Sequence, residues 1–499
     1  MKILKSKQIA ANSLFSLATF IVTAILGFVI APVTLTKLGK TNYGLWIFIT
    51  SLSSYYSVLF LGFGTVVVKS VSEYEKVNDK ALVEKTLGTV MEMFCRIGCF
   101  VAVISLLLSM FFPYIIDLPP NQFGYQYAVL VIGLQFALSF PISLYQGILT
   151  GLERYIVRDI ISTCIFGANF LFIFFIPQNY ATVLSFACFS FCINITGGVF
   201  FYILSRHFFP DIRVCSKNYV SELFASIFQI SVYSFFITIS QKIIELSDKI
   251  IIGIFLGPIA VAFYSVPQKL VFYLQVLLFK AQSPVFPRFI NLYSGNNIAQ
   301  LRNLYCKGFY YSLALAMPIC IVYVSFGGIF QGLWMGQEFE KMHNVLIVLT
   351  LYAFFSQPIT NTFLNSTPLR KVAAKLNFIQ AIFNVIFSVI FIQFWGLIGV
   401  ALATFIPSFF IAFFLLNYIV IRKIEISFLQ FLSSSFLPII IPSTLTAVFV
   451  FFVYRMEISY NIWRFLIMSC IVEFIFLLAL VFFNRDLRKL IHKVVTHGK

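Results

Sequence analysis

Apolar runs of about 20 residues, parted by short polar breaks, recur along the whole chain, and each can cross roughly 30 Å of hydrocarbon as a helix. Helix is the form they predict, because a lipid-facing backbone must satisfy its own hydrogen bonds. The alternating segments of about ten residues that mark a β-barrel are not seen. The runs predict spans at 9–32, 43–66, 91–113, 125–148, 157–176, 182–204, 224–254, 259–281, 308–331, 343–365, 373–393, 396–420, 430–454 and 462–483. The seventh is long and polar in its middle. The expected fold class is an all-α polytopic membrane protein with about fourteen transmembrane helices.

Composition agrees. Of 499 residues, 60% are hydrophobic, 18% aromatic and only 11% charged, too few polar groups to cover a soluble body. The N-terminus begins Met1-Lys-Ile-Leu-Lys-Ser-Lys7, but the apolar stretch behind it runs to about Ala31 with no small-residue cleavage site, so it reads as a retained first span. Cys95/Cys99 and Cys188/Cys192 each share a helix face inside a span and read as small apolar fillers, with no disulfide or metal implied.

Lysine and arginine placement orients the spans. The two termini and the even-numbered loops hold 26 of the 35 cations, the odd loops and their edges five (Lys37, Lys40, Lys341, Arg455, Arg464), and four lie inside or at the edge of spans. That alternation supports the span count and cytoplasmic termini. The net charge of +17 is then largely positive-inside bias, with attraction to anionic membrane lipids, and calls for no nucleic-acid partner. No nucleotide-binding loop is present.

Three landmarks repeat. Phe140-Pro141-Ile142 is echoed by Gln357-Pro358-Ile359, each followed thirteen residues past the proline by a cation, Arg154 and Lys371. Leu38-Gly39 with Gly44 matches Leu256-Gly257 with Ala262, and Lys69 matches Arg288. Offsets of 217 to 219 suggest two pseudo-repeated six-helix lobes, as in some secondary transporters. The expected organisation is an N-terminal lobe over 1–205, a cytoplasmic linker over 206–223, a C-terminal lobe over 224–421, and two further helices with a basic tail over 422–499. Pro141, Pro318, Pro358 and Pro407 fall inside spans, where proline removes a hydrogen bond and favours a kink.

Four strings carry a family resemblance: Leu38-Gly39-Lys-Thr-Asn-Tyr43-Gly44-Leu-Trp46; Leu61-Gly62-Phe-Gly64; Gln146-Gly147 with Leu152-Glu-Arg154-Tyr155; and Asp248-Lys-Ile-Ile-Ile-Gly253-Ile-Phe-Leu256-Gly257 leading to Tyr264. In order and spacing they resemble the polysaccharide and lipid-linked oligosaccharide flippases (Wzx-type or MurJ-type) of the multidrug/oligosaccharidyl-lipid/polysaccharide (MOP) exporter superfamily. The resemblance implies a MATE-like pair of lobes rocking about a central cavity. It implies a polyprenyl-pyrophosphate-linked oligosaccharide as substrate, such as an O-antigen or capsule repeat unit, and polysaccharide polymerase machinery as a partner. The implied location is the bacterial inner membrane.

Such a substrate needs a cation for its pyrophosphate, with amides and aromatic rings for its sugars. A charge near mid-membrane costs about 2.5–3.5 kcal/mol on insertion scales, so each one is a functional candidate. The seventh span holds the densest group: Gln241, Glu245, Asp248 and Lys249 on one face with Lys242 beside it. Lys242 is the candidate phosphate contact; the alternative is a plain i,i+3 pair with Glu245. Asp248 and Lys249, nearer the outer end, read as an interfacial pair with a coupling or gating role. In the eighth span Tyr264, Gln268 and Gln275 share a stripe with Lys269 adjacent, a cavity wall or inter-helix hydrogen bonding. Arg96 can snorkel to the headgroups, and Glu473 can accept a coupling proton or bond a neighbouring helix. Asn12, Ser13, Ser16, Thr19, Thr23, Ser51, Ser54 and Tyr55 offer hydroxyl, amide and phenol groups to sugars. No cofactor is expected, and coupling to Na⁺ or H⁺ has no readable signature.

The rivals are a cation-coupled multidrug antiporter of the same superfamily, which would want a buried acid that the first, second, fourth, fifth and sixth spans are expected to lack, and a membrane polysaccharide polymerase or an acyltransferase. The outer loops are minimal, and His207, His343, His492 and His497 lie outside span interiors, so no enzyme is expected.

Overall fold

The computed structural model describes residues 2–60, 62–77, 79–116, 124–212, 214, 220–282, 284–455 and 461–483. These are helical almost throughout, with no strand among them. The helices are α1 (Lys2–Ser54), α2 (Phe63–Val77), α3 (Lys80–Ile115), α4 (Tyr125–Gly151), α5 (Tyr155–Phe175), α6 (Val183–Phe208), α7 (Ser221–Gln282), α8 (Val285–Ser294), α9 (Ile298–Met335), α10 (His343–Phe355), α11 (Pro358–Asn365), α12 (Arg370–Pro407), α13 (Leu416–Lys423), α14 (Phe428–Ser435), α15 (Leu437–Arg455) and α16 (Ile462–Phe483). Ten helical segments among the described residues are long and apolar enough to cross a membrane, or eleven if the bent pair Phe428–Ser435 and Leu437–Val453 is one span. The chain is a multi-pass membrane protein.

Three of those segments, Ala18–Phe60, Phe235–Gln282 and Arg370–Lys423, run 43, 48 and 54 residues. At about 1.5 Å per residue they are roughly twice the bilayer core in length, and each is interrupted by one glycine. Gly39 (φ 75°, ψ 167°) and Gly257 (φ 80°, ψ 176°) break α1 and α7 with nearly the same backbone, in the left-handed region that favours glycine. They are the two glycines of the sequence repeat. Gly396 (φ 55°, ψ −131°) breaks α12.

Other landmarks of the repeat also fall on matching elements. Lys69 was expected to close the second span; it lies instead on the short helix α2 that follows, and its repeat partner Arg288 lies on the short helix α8. The second span ends early because α1 stops at Ser54, continues as a 3₁₀ turn over Tyr55–Phe60, and the chain then turns at Gly62 (φ 76°). Arg154 caps the start of α5, and Lys371 sits in the first turn of α12.

The prolines divide two and two. Pro141 and Pro318 lie within the unbroken helices α4 and α9. Pro358 opens α11 after a break at Ser356–Gln357, and Pro407 ends α12 at a π-helical stretch, Ser408–Leu415. At the first break Gln357 Nε2 donates to the carbonyl of Phe354 (2.7 Å), the acceptor that Pro358 cannot serve. After the second, Asn417 Nδ2 donates to Phe413 O (2.6 Å).

The chain forms two compact units, Met1–Ala262 and Phe263–Lys499. In the first, Phe63, Phe94 and Phe140 are wholly buried in a core that also takes Val67, Leu87 and Leu144. The crossing of α1 and α7 within this unit is tight: a Cβ on Gly44 would lie 1.8 Å from Pro258 O, and one on Gly253 would lie 2.2 Å from the Phe48 ring. In the second unit Tyr305, Phe309, Phe363 and Phe431 fill one large core. Cys95, Cys99, Cys188 and Cys192 are exposed on their helices, so the expectation that they fill packing gaps is corrected; they lie on faces available to lipid.

Candidate substrate-binding site

The polar stretch of the seventh span lies on the first arm of α7. Lys242 Nζ meets Glu245 Oε2 at 3.0 Å, with the side chains 28% and 41% exposed. One turn further Asp248 is wholly buried. Lys249 is partly buried and feels the charges of Glu245, Asp248 and Lys242. Gln241 is exposed. Facing this group is Tyr55, first residue of the 3₁₀ turn after α1, whose phenol lies in the field of Asp248 and Glu245. The cluster therefore holds two lysines, two carboxylates and a phenol. Its formal charge is balanced, not positive.

Tyr55 is placed by the break in α1. Ser54 Oγ donates to Thr50 O (2.6 Å) and Ser57 Oγ to Ser54 O (2.7 Å), so hydroxyls hold the tightened turn through backbone bonds. Thr19 and Thr23 likewise donate to carbonyls of α1. Their O–H groups are committed to their own helix, and only oxygen lone pairs are left for a sugar. Asn12 and Ser13 lie on α1, but their side chains fall outside what the structure describes, as does the whole of the basic tail after residue 483.

In the second unit the expected stripe on α7 is split by depth. Tyr264 is wholly buried, whereas Gln268, Lys269 and Gln275 are partly buried. Arg96 is paired with Glu92 on its own helix (3.0 Å), its side chain 64% exposed. Glu473 lies on an exposed face of α16, with Tyr323 in its field.

Several polar groups were not anticipated. Asp159 on α5 contradicts the expected lack of an intramembrane acid in the fifth span. Its side chain is only 13% exposed; it is gripped by Arg158 through Nη2 (2.7 Å) and Nε (2.9 Å), and accepts from Ser16 Oγ of α1 (2.5 Å). Arg158 also reaches Thr150 of α4 (3.3 Å). In the second unit Gln282, Ser312 and Gln357 form a buried chain of hydrogen bonds, and Tyr305, Thr360 and Asn417 form another. Asn384 donates to Thr404 (2.9 Å) and Gln380 to Ser408 (2.8 Å), joining the arms of the Arg370–Lys423 segment. Such amides and hydroxyls are common inter-helix ties in membranes. Among the described residues no group of three or more His, Cys, Asp or Glu is placed to hold a metal ion.

Comparison with known proteins follows the same lines. The polysaccharide biosynthesis protein family matches residues 9–293. A putative O-antigen transporter of Shigella flexneri is 21% identical over 360 residues, 70% of this chain and 82% of that protein. Among solved structures, the lipid II flippase MurJ in an inward closed conformation superposes with a TM-score of 0.72 at 16% identity, covering 95% of this chain and 99% of that one. An inward-facing multidrug resistance MATE family transporter of the MOP superfamily gives a TM-score of 0.69 at 13% identity, covering 83% and 99%. The fold is shared with both.

Proposed function

The chain belongs to the polysaccharide biosynthesis protein family, and on that footing we propose that it is a flippase for a polyprenyl-pyrophosphate-linked oligosaccharide. It moves its cargo from the cytoplasmic to the outer leaflet of a bacterial inner membrane by alternating access, with both termini in the cytoplasm. On this reading the three glycine-broken segments each make two passes, which takes a count of up to eleven to the expected fourteen.

One observation carries the reading: a charged, half-exposed Lys242–Glu245 pair inside a membrane-spanning helix, beside buried Asp248 and the Tyr55 phenol. An isolated structural ion pair is poor value at that depth, whereas a lysine there can take a phosphate oxygen as a charge-assisted partner. Within the second unit, Lys269, Gln268 and Gln275 on the second arm of α7 are partly buried candidates of the same chemical kind. No catalytic step is involved; the lipid tail stays in the bilayer while the headgroup crosses.

The test is translocation of a fluorescent lipid-linked oligosaccharide in proteoliposomes holding the purified chain. Cargo that becomes accessible at the opposite leaflet only with protein present supports the reading. A chain that leaves it untouched, while inserted and folded, defeats it.

Asp159 favours a second reading, cation-coupled multidrug antiport, because it supplies the intramembrane acid such a transporter wants. Efflux of a lipophilic cationic dye from the same vesicles, driven by an imposed proton or sodium gradient, would select it.

A further inference from the structure

We infer that the open side of α16 is a docking surface for a transmembrane helix of another protein, one that carries a lysine or arginine at mid-membrane, and that Glu473 is its counter-ion. The inference concerns a different surface from the substrate-binding site and stands apart from the flippase reading.

The two sides of α16 differ. Phe465 and Val472 pack against Val322 and Phe326 of α9 and Val450 and Val453 of α15, and Phe476 and Leu480 join the large core of the second unit. Away from that packed side, Trp463, Ile467, Cys470, Ile471 and Phe474 line a shallow apolar groove of about 460 Å³. Glu473 borders the groove. It is the twelfth residue of the 22 in Ile462–Phe483 and so lies halfway along the span, and it is exposed. Its neighbours at i−3, i+1 and i+4, Cys470, Phe474 and Leu477, are exposed as well, and all are apolar. The surroundings that this side is built for are therefore hydrocarbon or another protein.

Hydrocarbon suits the groove but not the acid, because a carboxyl group at that depth is costly unless another group meets it. Among the described residues Glu473 has no ion pair and no hydrogen bond. Tyr323 of α9 lies in its field but gives its O–H to Leu270 O (3.2 Å). A partner that reaches mid-membrane must satisfy its own backbone, which makes it a helix. Apolar side chains of such a helix fill the groove, while a lysine or arginine gives Glu473 a charge-assisted hydrogen bond. A second copy of this chain fits less well. A two-fold contact sets the same patch against itself, acid against acid. Arg464, the only cation on α16, stands nine residues from Glu473, roughly 13 Å along the axis and half a turn round the helix.

The experiment measures association of the purified full-length protein, with a dye at its C-terminus, with dye-labelled synthetic polyleucine transmembrane peptides, by energy transfer in liposomes. A peptide with one central lysine is expected to bind the wild type about tenfold more tightly than the same peptide with leucine there. Glu473→Gln should abolish that preference with a melting temperature close to wild type, and Glu473→Lys should transfer it to a peptide with a central glutamate. Ile467→Ala combined with Phe474→Ala should weaken the lysine peptide about threefold or more. Equal binding of the lysine and leucine peptides to the wild type would mean that this side only meets lipid, and would overturn the inference. So would a lysine preference that persists in Glu473→Gln, or self-association of the protein that disappears in Glu473→Gln, which would make a second copy the occupant. Loss of folding in Glu473→Gln would make Glu473 a tie within its own bundle and overturn the inference equally. Should Glu473→Lys fail to fold, the Glu473→Gln comparison decides alone.

Discussion

At the scale of single residues, the site is organised by the expense of charge in a membrane. A half-exposed i,i+3 ion pair contributes only about 0.2–0.5 kcal/mol to helix stability, so function and folding can be separated at Lys242. Lys242→Gln is expected to lower translocation about tenfold or more with a melting temperature close to wild type; equal losses in both would make the pair structural. Arg96 is the contrasting case, because it is largely exposed and already satisfied by Glu92. Arg96→Gln should leave translocation within about twofold of wild type in the same vesicles. Lys242, Glu245 and Asp248 were legible in the sequence because charge stands out in an apolar span. Tyr55 was legible only as a hydroxyl, since 24 tyrosines look alike until a broken helix aims one of them. Asp159 was overlooked although it stands within the fifth span in the sequence; only the fold brings Ser16 onto it.

At the scale of elements, glycine and amide side chains set where helices turn and how closely they cross. Gly39 and Gly257 have no atom within 4 Å of a would-be Cβ, so their constraint is conformational. Gly257→Ala should cost about 1–3 kcal/mol, the strain of a backbone at φ 80°, ψ 176° that is essentially confined to glycine. Gly44 is constrained by space instead, with the Pro258 carbonyl where its Cβ would be. Backbone cannot swing aside as a side chain can, so Gly44→Ala should destabilise more than Gly257→Ala in thermal unfolding of the detergent-solubilised protein. The reverse order would mean that the α1–α7 crossing relaxes freely. The repeat offsets made Gly39 and Gly257 visible beforehand, but not the close approach at Gly44. Proline position alone did not sort kinks from straight helices either. Pro141 leaves the Ala137 carbonyl unbonded by its own helix, yet α4 stays continuous against α3, where a Cβ on Gly98 would lie 2.6 Å from that oxygen. Pro358, its repeat partner, opens a break served by Gln357.

At the scale of the whole molecule, hydropathy and cation placement carried most of what could be known in advance, because both answer to the bilayer and not to side-chain detail. Exceptions to the cation bias have local uses: Lys37, an expected outer-loop cation, donates to Ile176 O at the end of α5 (2.7 Å), where a helix C-terminus favours positive charge. Among the expected inner-loop cations, Arg302 does the same for the end of α13 through Ile424 O and Glu425 O. What hydropathy left open is whether a long segment turns inside its length. The 54-residue Arg370–Lys423 segment poses that question most sharply. A straight pass would put Lys371 and Arg422 on opposite sides of the membrane, whereas a turn at Gly396 returns Arg422 to the side it started from and leaves Trp395, 56% exposed, on the other. With the nine native cysteines replaced, single Lys371→Cys, Trp395→Cys and Arg422→Cys variants in intact cells decide it. An impermeant maleimide should reach the Trp395→Cys thiol directly and the other two only after permeabilisation. Labelling of Arg422→Cys from outside would make Gly396 a bend within one pass, and both the fourteen-span count and cytoplasmic termini would have to be given up together.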